Sequence, residues 1–275
     1  MRLKVLSNHI KTLLTLVLFA AVAGCSSFSQ RELEKKWFST GEEKLLAEVK
    51  AHGIDQTISS LQLRLKRKAA LEEKKALMRH AWFLYSNNRT NKNAALAAAQ
   101  AVYLVIDVLD NKDEVYQLSE LGYKITLSAG AGKDSEASYY NALFLGFIVR
   151  QKGLMALGRL KDVVSMLEVA KKKPELDFGG PMRVQGMLFL KAPPWPRGLG
   201  DLDKALEALE AAFDKSPRFP QNTMFLAEAL IEDEEFDKAG KLLKKASAEL
   251  KPEVWGEDYC RIWKEYINNL KKKMK

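Results

Sequence analysis

Cysteine and histidine are scarce in this chain: two cysteines and three histidines among 275 residues. A disulfide framework needs paired cysteines, and a structural zinc site needs four closely spaced Cys or His ligands. Neither is on offer, because the cysteines are Cys25 and Cys260 and the histidines beyond residue 24 are His52 and His80. No metal and no cofactor are expected. A Cys–His nucleophile lacks parts for the same reason, and no HExxH, GxSxG, P-loop or CxxC pattern occurs. The acidic pairs Glu72-Glu73 and Glu234-Glu235 are sequence neighbours on helical segments, so they do not face one another and read as solvated faces. The chain is expected not to be an enzyme.

A long apolar run is also missing near the N-terminus. Thr12–Val22 is an apolar stretch of 11 residues, short of the roughly 20 that span a bilayer. It follows Arg2, Lys4 and Lys11 with no acidic residue among them, the order of a secretory signal. It ends in Val22-Ala23-Gly24-Cys25. These residues resemble the lipobox of bacterial lipoproteins, with Val22 in place of the commoner Leu. The resemblance implies a signal peptide over residues 1–24, a diacylglyceryl and N-acyl lipid (palmitate-type chains) on Cys25, and a lipidated tether over residues 25–31. Ser26, in place of Asp, implies sorting to the outer membrane, facing the periplasm. Two or three acyl chains suffice for stable anchoring where one does not.

The net charge of +9 falls to about +6 once the three leader cations are removed. Basic clusters at Arg64, Lys66, Arg67 and Lys68 and at Lys271–Lys273 with Lys275 are not interleaved with aromatics, so they read as solvated helix ends and no nucleic acid is expected. Cys260 lies in a segment where Trp255, Tyr259, Ile262, Trp263 and Tyr266 recur at three- and four-residue spacing, which predicts a buried structural thiol on an aromatic helix face.

Elsewhere Ala, Leu, Lys and Glu dominate. Turn signals at Asn87-Asn88, Asp110–Lys112, Gly130–Gly132, Gly153, Gly179–Pro181, Pro193–Gly200, Pro217–Pro220 and Pro252 separate apolar-periodic segments. An all-α fold of antiparallel helix pairs is expected, a helical-hairpin repeat array over residues 32–275 as a single domain. Ala205, Leu209 and Ala212 recur 34 residues on as Ala239, Leu243 and Ala246, each set closed by a proline, Pro217 and Pro252. That is the tetratricopeptide period, and the small residues serve tight helix crossings. Ala227 and Gly186 take the small position of the preceding helices; Gly146 takes it in a weaker copy. The clearest repeats are 136–174, 180–217 and 220–252. Residues 69–128 suggest further pairs, and residues 32–66 one or two amphipathic helices.

Seven extra residues separate the helices of the 180–217 repeat. Gly179-Gly180-Pro181 with Arg183, Ala192-Pro193-Pro194-Trp195-Pro196, and Pro217 through Pro220 to Asn222 stand in order around them. Over residues 136–250 these elements resemble the TatT-like tetratricopeptide-repeat lipoproteins related to the T component of TRAP transporters. The resemblance implies an all-helical periplasmic domain on a lipid anchor, with homo-oligomers and a periplasmic solute-binding partner in the family. From the residues alone, Gly179-Gly180 permits a sharp turn, Pro181 suits a first helical turn, Asp201 is a helix cap, and Trp195 supplies a ring to pin the insert.

Repeat geometry places first-helix residues on the concave groove, making Arg183, Met187, Lys191, Met224 and Glu228 candidates for binding, with Trp195 of the insert beside them. Arg183 either pairs with Glu228 or caps carbonyls, or else holds a ligand carboxylate. Two functions follow as expectations. One is a lipid-anchored binding protein that grips a partner protein or small apolar ligand and serves TRAP-type uptake, with an enclosed apolar cavity near Phe147, Met187, Leu190 and Met224. The other is an outer-membrane assembly scaffold unrelated to transport, with an open, charged groove.

Overall fold

A computed structural model of the chain describes residues 30–38 and 42–274. The leader, Cys25 and the tether lie outside these residues, apart from the two positions Gln30 and Arg31 that open the first helix. The chain divides into two compact units, residues 1–39 and residues 40–275. The first contributes helix α1, Gln30–Phe38.

The second unit is helical throughout, with no strand among its described residues. Helices α2 (Glu42–His52) and α3 (Ile54–Arg64) are the amphipathic lead-in. Then come α4 (Leu71–Asn87), α5 (Lys92–Ile106), α6 (Lys112–Ser128), α7 (Ser135–Lys152), α8 (Leu160–Ala170), α9 (Gly180–Lys191), α10 (Leu202–Lys215), α11 (Pro220–Glu232) and α12 (Phe236–Ala248). A one-turn α13 (Pro252–Trp255) leads to the closing helix α14 (Glu257–Lys273). Several helices start where local chemistry dictates. The Asn91, Asn111, Asp134 and Asp201 side chains accept backbone N–H groups of the first turns of α5, α6, α7 and α10, and Pro181 and Pro220 fill first-turn positions whose donors would be idle.

Neighbours along the chain pack as antiparallel hairpins, and α5, α7, α9, α11 and α14 also touch in turn as an inner row. The fold is thus an all-α, tetratricopeptide-like solenoid. The repeat alanines and leucines do what their period requires: Ala205, Leu209, Ala212, Ala227, Ala239, Leu243 and Ala246 are fully buried. Gly186 is a true crossing point, because a Cβ there would lie 2.5 Å from Leu209. Gly146 is not. A Cβ at Gly146 would meet nothing within 4 Å, so the expectation of a small crossing residue there is corrected; Ala142, fully buried one turn earlier on α7, packs with Val163 and Leu167 of α8 instead. The close approach of α6 to α7 uses Gly122, whose absent Cβ makes room for the Phe144 ring.

α14 carries the aromatic face foreseen from its spacing. Tyr259, Trp263 and Ile267 are buried against α11 and α12, and Phe219, Trp255 and Trp263 form an edge-to-face cluster. Cys260 is a buried free thiol.

Candidate functional site

The hinge between α8 and α9 is the most constrained point of the array. Asp177 and Phe178 both adopt left-handed backbone angles, with φ of 48° and 60°, and Gly179 follows at 86°. Only glycine takes such angles without steric cost, so side-chain contacts must hold the other two. Asp177 is gripped from two sides. Arg67 binds its carboxylate in a bidentate fork at 2.5 and 2.9 Å, Arg183 adds a bond at 2.5 Å, and the Tyr139 hydroxyl donates to it at 2.5 Å. Arg183 also donates to the Asp177 carbonyl at 2.9 Å and to Asn222 Oδ1 at 3.0 Å. The Asn222 amide in turn donates to the carbonyls of Phe178 and Ala212 at 2.8 and 2.7 Å. The Phe178 ring stacks on Phe219, with centroids 4.7 Å apart. Burial raises the Asp177 carboxyl's proton affinity, but the two guanidinium groups outweigh it and bring its pKa down to about 2.

Arg183, 2 % exposed, is therefore a structural clamp on Asp177 and nearby carbonyls. The alternative pairing with Glu228 does not occur. Glu228 instead accepts Lys191 at 2.6 Å, Lys273 at 3.4 Å and the Tyr266 hydroxyl, tying α9 and α14 to α11. Burial pushes its pKa up, and the bonds from Lys191 and Tyr266 outweigh that and leave it below the ordinary value. Arg67 also corrects an expectation. Its place in a basic cluster predicts solvation, yet its side chain is buried, with its guanidinium 5.2 Å from the Phe219 ring centroid and in hydrogen-bond contact with Tyr103.

Above this clamp, on the inner row of helices, lies a cleft of about 480 Å³. Its walls come from the end of α5 (Tyr103, Asp107), from α7 (Ala142 to Arg150), from the 3-10 turn and start of α8 (Leu157, Leu160, Val163), from α9 (Val184 to Lys191) and from α11 (Gln221, Phe225). The size falls within the range of small-molecule sites. Gly146 lines it, which explains the open space where a Cβ would stand.

Of the sequence-derived candidates, Arg183, Met187 and Lys191 line the cleft, and Phe147 does so too, but the cleft is open to solvent and not the enclosed cavity expected. Met224 is buried in the core, Leu190 packs against that same core, and Glu228 acts through Lys191; none of the three lines the cleft. Trp195 is 84 % exposed, so it does not pin the insert. The insert is held by backbone bonds instead, from Gly200 N–H to the Pro193 carbonyl at 2.9 Å and from Asp201 N–H to the Phe189 carbonyl at 3.0 Å. No group of three metal-binding side chains occurs among the described residues.

Residues 197–256 match the family model of the tetratricopeptide repeat. This segment runs from the end of the insert through α10, α11, α12 and α13 and contains both copies of the 34-residue alanine–leucine pattern. The chain thus carries tetratricopeptide repeats over residues 197–256. No curated protein matches it significantly. Tetratricopeptide arrays present their inner helix row as a concave binding surface, and the cleft lies in that row.

Proposed function

We propose that this protein is a lipid-anchored binding scaffold of the bacterial envelope, acting without catalysis, whose inner-row cleft takes an apolar ligand or the apolar side chains of a partner protein. The cleft carries the reading: about 480 Å³ in the concave layer, with Ala142, Leu157, Val163, Val184, Met187 and Leu188 on its walls. Anchoring rests on the lipobox-like Val22–Cys25, and no helix among the described residues is long and apolar enough to cross a membrane. Acylation at Cys25, sorting to the outer membrane and a periplasmic orientation belong to the same proposal. So does service to a TRAP-type uptake system, which rests on the Gly179–Arg183, Ala192–Pro196 and Pro217–Asn222 elements.

The alternative, an assembly scaffold unrelated to transport, is favoured by one observation: Trp195 and Met155 are exposed at 84 % and 88 %, in a form suited to protein contact. A crosslinked pull-down of the native lipoprotein, with lipid and metabolite analysis of the eluate, separates the two. A solute-binding protein or an apolar metabolite is expected. An envelope assembly complex without either overturns the transport reading.

A further inference from the structure

Charge is distributed unevenly around the cleft, and the inference drawn from it rests on the reading of the cleft as a ligand site. The two segments that build most of its wall, residues 137–161 and 178–200, contain seven Lys or Arg residues and no Asp or Glu. Three of those cations line the cleft: Arg150, Arg183 and Lys191. Arg183 is committed to Asp177, and Lys191 to Glu228. Arg150 pairs with no carboxylate among the described residues; its guanidinium lies 4.9 Å from the Phe147 ring centroid. The lining includes one carboxylate, Asp107, and this is already engaged. It accepts the Tyr259 hydroxyl at 2.8 Å, and the buried Lys74 ammonium, 4.7 Å from the Tyr259 ring centroid, attracts it from below. Gln221, also on the lining, keeps its amide oxygen buried without a partner. The cleft therefore combines a hydrocarbon wall with one guanidinium that has no direct ion-pair partner, attracted at longer range by Asp107, and one unsatisfied amide.

We propose that the cleft binds a single-chain anionic amphiphile, its tail along the α7–α9 wall and its carboxylate or phosphate on Arg150. A guanidinium holds either anion through two parallel charge-assisted bonds, while each methylene buried on the wall raises affinity roughly fourfold. A neutral chain of equal length gains only the second effect. A cationic chain faces Arg150 with like charge.

The test is calorimetric titration of the full chain carrying Cys25→Ser, which has no acylation site, with decanoate, decyl phosphate, decan-1-ol and decyltrimethylammonium. Decanoate or decyl phosphate is expected to bind about tenfold or more tightly than decan-1-ol, and Arg150→Met is expected to abolish that preference, bringing the anions level with decan-1-ol on the same variant. The stronger of the two anions identifies the head group as carboxylate or phosphate. Equal binding of anion and alcohol, or tighter binding of the cation, overturns the anion assignment and leaves the apolar cleft standing. No binding of any probe overturns both. Gly146→Leu, which extends a side chain into the open space of the cleft, is expected to abolish binding of all four; binding unaffected by it places the amphiphile elsewhere and overturns the proposal.

Discussion

Arg67 and Asp177 lie 110 positions apart in the chain and meet in a bidentate fork. That pair joins the segment before α4 to the hinge before α9, and so ties the early part of the array to its middle. With Arg183 on the same carboxylate, two buried cations depend on one anion. Asp177→Asn is expected to destabilise the fold by about 3–5 kcal/mol, since it strands both guanidinium groups. Urea unfolding checks this, and a loss under about 1 kcal/mol would show that the hinge is held by packing alone.

The same carboxylate makes stability depend on pH. Its folded pKa, about 2, is below the ordinary aspartate value, so the unfolded chain binds the proton first as pH falls. Its contribution is complete above about pH 4 and is lost as pH drops toward 2. Urea midpoints measured from pH 5 down to 2.5 should fall more steeply for the native chain than for Asp177→Asn. Parallel curves would remove Asp177 as the source.

Glu228 performs a second tying role at the far end. Glu228→Ala is expected to cost about 2–3 kcal/mol, by removing charged hydrogen bonds to Lys191 and Tyr266. Amide exchange should rise first in residues 257–273. Unchanged protection there would mean that α14 is held by its aromatic face without Glu228.

Two glycines separate crossing from cleft. Gly186→Ala should destabilise by about 1–3 kcal/mol, because its Cβ would press on Leu209. Gly146→Ala should stabilise by up to about 1 kcal/mol, since the space is open and alanine favours the helix. Thermal melts of the two variants decide it; shifts of the same sign would contradict the assignment.

Anchoring is tested by Cys25→Ser. The variant should leave the membrane fraction after a salt wash, and retention would count against acylation at Cys25.

Much of this architecture was legible from spacing. The 34-residue recurrence of Ala205, Leu209 and Ala212 predicts buried crossings because local periodicity and burial follow the same rule. Asp201 as a cap and Pro181 in a first turn were equally readable, both being effects within a few residues. The clamp was not. Arg67 sits among Lys66 and Lys68, and only long-range packing distinguishes its buried guanidinium from its solvated neighbours. Asn222 stands at the end of the recognised motif and Asp177 two residues before its first glycine, and neither shows a role in the sequence, since their partners come from distant segments. Gly146 misled for a related reason: a small residue at a helical spacing looks the same whether another helix or empty space faces it.

The cleft itself is the central claim, and displacement of an environment-sensitive apolar fluorophore tests it most directly. The native chain should bind 1-anilinonaphthalene-8-sulfonate or N-phenyl-1-naphthylamine saturably. Gly146→Leu should lose that affinity about tenfold or more with its melting temperature preserved. Equal binding by the native chain and a fully folded Gly146→Leu would contradict a ligand site in the inner row.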